Sequence, residues 1–261
     1  MPRPPARAAL VAALSAAALL TASACDTIAG LGRPASAARG HASAGTPTAP
    51  ATPAAAPTLT EAQAQAALIS EADLGEPWVA TDGFATWRES MLKASTESAE
   101  AGCGKLLDAL YAEELLGPDA TTRASTGLDD LYDEAQLRYQ VVAHRPDAVD
   151  GTLAWLDSMP RECAEFTATA GGGEMTVEVT GAEMPEVGDA RQGLRLVLRA
   201  VSEYDDAPVL TLHVAVVRVG DDAIVLTNGG LGEVPADATW TAVELGAHRL
   251  TEVRKRGRAE I

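Results

Sequence analysis

The sequence predicts an α+β fold: a mainly antiparallel β-sheet flanked by helices, forming a single domain after a disordered stalk. Three observations carry that expectation. Apolar residues recur at helical spacing near residues 59–69, 103–116, 146–160 and 238–250. Between Met175 and Thr227 the chain turns to alternating or β-branched runs broken by glycine turns. Ahead of Leu59 lies a long stretch with almost no large apolar side chain, which cannot offset the entropy of ordering itself.

The N-terminus has the parts of a secretory leader. Arg3 and Arg7 supply positive charge, and Ala8 to Leu20 is an uncharged apolar run of 13 residues, short of the roughly 20 that a spanning helix needs. Leu19-Leu20-Thr21-Ala22-Ser23-Ala24 then leads into Cys25, an arrangement that resembles a bacterial lipoprotein signal. On that reading residues 1–24 are a removed signal peptide and Cys25 is acylated, with palmitate among its chains. The lipid would then hold the mature chain to the outer, extracellular face of the cytoplasmic membrane. Ala22-Ser23-Ala24 also fits the A-x-A cut of an ordinary signal peptide, which would leave Cys25 a free thiol. From Thr27 to Thr58, Ala, Gly, Pro, Ser and Thr prevail, and Pro47, Pro50 and Pro53 favour an extended polyproline path. Residues 25–58 are thus expected to form a lipid-anchored stalk reaching about 30 Å at the flexible-coil scale.

Residues 59–261 are expected to hold the folded, sensor-like domain. Thr60 caps a short helix over Leu59 to Ile69, and Leu74-Gly75 ends the following turn. Cys103 to Leu116 places Leu106, Leu107, Leu110 and Tyr111 at helical spacing, with Gly117-Pro118 as the stop. Leu137 to Ala143 alternates as a strand. Pro146-Asp147 opens a third helix, where Val149, Leu153 and Leu156 share a face as far as Pro160. Met175 to Val179 alternates after the turn at Gly171 to Gly173. Leu194, Leu196 and Leu198 alternate with Arg195 and Arg199, giving that strand one buried and one wet face. Tyr204 to Pro208 reads as a turn. Val209 to Val219 and Ala223 to Thr227 then flank Gly220-Asp221-Asp222, a hairpin signature. A last helix starts near Ala238, with Trp240, Val243, Ala247 and Leu250 on one stripe.

Charge narrows the partners. The formal net charge is −17, and removal of residues 1–24, which carry two arginines and no acid, would take it to −19. Nucleic-acid binding runs on phosphate neutralisation and is excluded on that balance, as is docking on anionic lipid through a basic patch. Asp129 to Glu134 is the densest acidic run, but it lacks the spacing of a calcium loop. No metal or cofactor is expected.

If lipid takes Cys25, Cys103 and Cys163 remain. Outside the cytoplasm two leftover cysteines most often pair, here as a structural disulfide joining two helix ends. Two buried thiols or an exchange-active pair are the alternatives, although no C-x-x-C occurs.

Several of these segments together resemble a known family. They are Leu59-Thr60-Glu61-Ala62, Cys103-Gly104-Lys105-Leu106-Leu107, the run from Tyr139 through Asp147 to Trp155 and Cys163, and the closing hairpin Leu212 to Leu226 followed by a helix. In combination they look like the PknH-like extracellular sensor domain, which occurs outside the membrane on certain actinobacterial receptor kinases and as free lipoproteins. The resemblance spans roughly residues 58–255. It implies a helix-flanked sheet with a cleft for an unidentified ligand. Kinase-type members typically carry two disulfides where this chain can form one, and no kinase domain is expected, so signalling by phosphorylation is not implied.

Catalytic signatures are missing: there is no G-x-S-x-G, H-E-x-x-H, P-loop or G-x-G-x-x-G. His144, His213 and His248 are too scattered for a metal pair, and His213 reads as a core or face residue of an apolar strand. A Ser/His/Asp set assembled only by the fold stays open. The functional expectation is a non-enzymatic, ligand-binding or sensor-like envelope lipoprotein. Action through protein–protein contact is the alternative, and a hydrolase is more remote. Arg195, Arg199 and Arg218 are the candidates for a local positive site for an anionic or glycan-like ligand, near Trp155. The competing reading pairs these arginines across strands with carboxylates such as Glu178.

Overall fold

Residues 59–97, 100–202 and 207–259 are described by the structure, a computed structural model of the chain. They fall in one compact unit, Pro53–Ile261. The leader, Cys25 and the expected stalk lie outside the described residues, as does most of the turn expected at Tyr204 to Pro208.

Alternation of apolar and polar residues produces one nine-stranded sheet. The strands are β1 (Trp78–Ala80), β2 (Ala94–Ser95), β3 (Thr121–Asp130), β4 (Gln136–Ala143) and β5 (Glu165–Ala170). They continue with β6 (Gly173–Ala182), β7 (Ala190–Ala200), β8 (Val209–Val219) and β9 (Asp222–Leu231). Their order is β1-β3-β4-β9-β8-β7-β6-β5-β2, and every pairing is antiparallel. The helices are α1 (Glu61–Ala66), α2 (Glu71–Leu74), α3 (Ala101–Tyr111), α4 (Pro146–Glu162) and α5 (Asp237–Ala259). A π-helical turn, Arg88–Leu92, stands between β1 and β2.

Side-chain parity sorts the helices onto two faces. Leu194, Leu196, Leu212 and Val214 point to a first face, where they pack with Leu106 and Leu110 of α3 and Leu153 and Leu156 of α4. Ala215, Val217, Ile224 and Leu226 point to a second face, covered by α1 and α5. β8 and β9 are therefore buried on both sides, which is why they read as nearly continuous apolar runs. Tyr139 shows how closely α5 sits on the sheet. Its hydroxyl donates to the Ala67 carbonyl at 3.3 Å, and its ring fits only because residue 246 of α5 is glycine; a Cβ there would collide with it.

The Cys103–Cys163 disulfide joins the first turn of α3 to the C-cap of α4. Thr60 caps α1 as the sequence indicates, accepting from the Gln63 amide while the Gln63 side chain accepts from Thr60. Three differences from the sequence reading have physical causes. α3 stops at Tyr111, well before Gly117-Pro118, because Glu113 takes a left-handed backbone at φ 57°. α4 runs past Pro160 to Glu162, so the proline is held inside its last turn. β3, whose sequence has little periodicity, is recruited by pairing with β4, and the short alternating run of β5 pairs with β6. Among the described residues, no helix is long and apolar enough to cross a membrane.

Candidate functional site

α4 covers β6 to β8 on the first face, and the apolar core of that face ends at Val225 of β9 and Val142 of β4. Beyond them the same-face residues of β4 become polar: Gln140, Arg138 and Gln136. These alternate residues floor a row of hollows. At the Val142 end a cavity of about 110 Å³ is bounded by Glu113, Leu116, Pro118, Thr122 and Gln140. At the Gln136 end a cavity of about 520 Å³ is bounded by Phe84, Asp82, Asp129, Asp130, Leu131 and Glu134. Between them, beside Arg138 and Leu115, only about 10 Å³ stays open. From Gln136 to Val142 the row is roughly 20 Å long at the usual strand rise. The segment after α3 walls the smaller hollow, and the loop that leaves β1 walls the larger.

The narrow middle is filled by three charged side chains from three segments. Arg88 is only 4% exposed, and its Nη2 donates to the Leu110 and Tyr111 carbonyls at 2.9 and 3.2 Å, so it caps the C-terminus of α3. The same nitrogen lies 3.4 Å from the Glu113 carboxylate. Arg138 donates to that carboxylate from Nε at 3.0 Å, and the Gln140 amide reaches it at 3.5 Å. Two guanidiniums thus share one carboxylate. Burial pushes the Arg88 guanidinium below its usual value; Glu113 opposes that fall and Arg138 adds to it. Glu113 occupies the position after a helix where glycine is favoured, and a non-glycine residue there carries a backbone penalty of about 1–2 kcal/mol. From that position its carboxylate holds one buried and one half-buried arginine.

Above this cluster stands Phe84, which is 67% exposed although large and apolar. The Arg138 and Arg88 guanidiniums lie 4.9 and 5.8 Å from its ring centroid, within cation–π range. Its loop is fixed from below by Gln136. The Gln136 side-chain nitrogen donates to the Gly83 carbonyl, Thr81 Oγ1 and Asp129 Oδ1, and its oxygen accepts from the Ala85 amide. Arg138 has room because its cross-strand partner on β3 is Gly127; a Cβ there would strike both Arg138 and Thr81.

The residues singled out in the sequence lie elsewhere and on both faces. Trp155, on α4, packs at the first-face core with the Lys105 ammonium 5.3 Å over its ring. Arg218 is on the first face too, paired with Asp150 at 2.8 Å and Asp189 at 3.8 Å. Arg195 and Arg199 point to the second face, opposite Thr180 and Thr176 of β6, and neither forms an ion pair among the described residues. Glu178 stands across from Val197, not from an arginine. The four candidates therefore do not share one cleft. His213 is buried: its Nε2 donates to the Val234 carbonyl at 2.8 Å, leaving Nδ1 without a partner among the described residues. Burial drives its imidazole pKa down, the Val234 bond opposes that, and Arg195 adds to it. Asp129 and Asp130, part of the acidic run, do reach the site as walls of the larger cavity. Among the described residues, no group of three or more His, Cys, Asp or Glu side chains is placed to hold a metal ion.

No protein-family model matches the chain, and no curated protein matches it. Among solved structures it is similar to the crystal structure of the extracellular domain of PknH from Mycobacterium tuberculosis. That likeness covers 77% of this chain and 100% of the other at 14% identity, with a TM-score of 0.43.

Proposed function

We propose that the chain is a non-enzymatic lipoprotein of the cell envelope, acylated at Cys25, whose folded domain binds a ligand in the β4 groove as a sensor-like module. The observation that supports it most is the Arg88–Glu113–Arg138 cluster. It is held by helix-end carbonyls, strained backbone and a glycine opposite; its Glu113 lines the smaller cavity, and the larger one lies beyond Phe84 and Gln136. Such convergent polar groups beside apolar surface in a concave site are what ligand recognition requires. Phe84, Leu131 and Tyr132, exposed by 67%, 63% and 79%, favour a second reading in which the same end of the domain meets a protein partner.

The test is native purification of the full chain followed by mass spectrometry. A small molecule that accompanies the wild type and is depleted in Phe84→Ala and Gln140→Ala supports the groove. A protein that accompanies both variants undiminished, or a chain that carries nothing, overturns it.

A further inference from the structure

We infer that residues 82–86 form a strap walling the larger hollow, latched by the Gln136 side chain and able to open on its own while the sheet stays folded. The strap is one wall of the groove proposed above, and its opening is measurable whether or not that groove binds a ligand. It runs between two fixed points. At one, Thr81 donates its amide to the Gly127 carbonyl at 2.9 Å and its hydroxyl to Asp129. At the other, Trp87 and Arg88 are buried, and Arg88 caps α3.

Between those points, from Asp82 to Ala85, the chain is in neither a strand nor a helix. Among the described residues, only Gln136 hydrogen-bonds the backbone of that stretch to the sheet. Its side-chain oxygen accepts from the Ala85 amide and its nitrogen donates to the Gly83 carbonyl, both at 3.1 Å. The same nitrogen reaches Thr81 Oγ1 at 3.1 Å and Asp129 Oδ1 at 2.9 Å. The side-chain amide has one workable orientation. Turned over, its oxygen would face the Gly83 carbonyl and the Asp129 carboxylate, and its N–H groups would face the Ala85 N–H. Gln136 is buried on β4, so the latch is rooted in the sheet.

Little else holds the strap. Its Ala85 carbonyl turns back to the Arg88 amide, at the strap's own end. Phe84 is mostly exposed, so its ring adds cation–π contact with Arg138 and Arg88 but buries little apolar area. Of the strap's apolar side chains, Ala85 packs on the first-face core, with a single methyl group. A segment with few buried apolar contacts and no ladder bonds opens at a lower free energy than the strands beside it. Asp82 to Ala85 supply one wall of the hollow of about 520 Å³, residues 129–135 supply the other, and Gln136 lines it too. Release of the latch therefore moves a whole wall. The strap is the moving part by which an occupant of the larger hollow is admitted and held.

Amide exchange in the ¹⁵N-labelled full chain, followed by NMR, tests the latch at the Ala85 N–H, whose acceptor is the Gln136 oxygen. In the wild type this amide is expected to be protected at least about tenfold less than the amides of β8 and β9, at a rate that low urea leaves unchanged, as a local opening requires. Gln136→Met keeps the length of the side chain and removes both bonds to the strap. It should speed Ala85 exchange roughly tenfold more and leave β8 and β9 as they were. Wild-type protection at Ala85 that equals the core and falls with urea as global unfolding does overturns the strap as a separate unit. An Ala85 rate unchanged in Gln136→Met overturns the latch, and so does a variant that fails to fold, since the latch holds the strap alone. The wild-type urea series needs no variant, and native purification decides the groove separately.

Discussion

Replacing Cys103 and Cys163 with alanine removes a link that spans 60 residues of sequence. The loop it closes contains α3, β3, β4 and α4, and so includes Glu113 and the whole floor of the groove. On the chain-entropy account, releasing a loop of that length stabilises the unfolded state by about 4 kcal/mol. For a domain of this size that corresponds to a fall in Tm of roughly 8–16 °C. Both cysteines are buried, so some packing is lost in addition. The assay is equilibrium urea unfolding of the oxidised wild type, the reduced wild type and the double variant, followed by circular dichroism. The two forms without the bond should agree within about 1 kcal/mol and fall well below the oxidised chain. A double variant as stable as the oxidised wild type, or two free thiols in non-reduced protein, would refute the reasoning.

Arg254 is 7% exposed and donates to Asp222, itself 2% exposed, and to Asp221 at 3.3 Å. Arg254→Ala should therefore destabilise by about 3–5 kcal/mol at neutral pH, because it strands a buried carboxylate. Burial already pushes the Asp222 pKa up. A raised folded pKa favours folding at low pH and loses that advantage as pH rises, so the deficit should be smaller at pH 4 than at pH 7 in urea titrations. For His213 the sign is opposite. Its folded pKa is depressed below the unfolded value of about 6.5, so the unfolded chain takes the proton first as pH falls. Stability should decline as pH drops below about 6.5, and a melting series from pH 7.5 to 5 should show that slope flattened in His213→Gln; an unchanged slope assigns it to another group. Cys25→Ala should abolish labelling by a tagged fatty acid and either release the chain or leave its precursor uncut. Labelling that persists in this variant removes the lipoprotein claim.

The sequence made some elements plain and hid others for identifiable reasons. β7 was legible because Leu194, Leu196 and Leu198 are buried while Arg195 and Arg199 are not. β3 was not, since only Ala124, Leu128 and Asp130 of its ten residues are buried, and β1 and β2 are too short to show a period. The end of α3 was placed too late because Leu115 and Leu116 continue a helical apolar pattern. The left-handed backbone at Glu113 sends them into the core by another route. Parity along β8 puts His213 and Arg218, five residues apart, on opposite faces, but only the β7–β8 register, with Arg195 across from His213, separates Arg218 from Arg195 and Arg199. The site itself was out of reach. Arg88, Glu113 and Arg138 lie in three segments, and each looks like an ordinary solvated charge until the fold brings them together around the buried Arg88.

Hydrogen exchange on the full chain, with and without its natively co-purified ligand, tests the groove most directly. The account predicts slower exchange along residues 81–88 and 113–118, the two walls, with a smaller effect in β4, whose amides are already paired. The second face around Arg195 and Arg199 should be unchanged. Protection confined to that second face, or no change in either wall, would contradict a ligand site on β4.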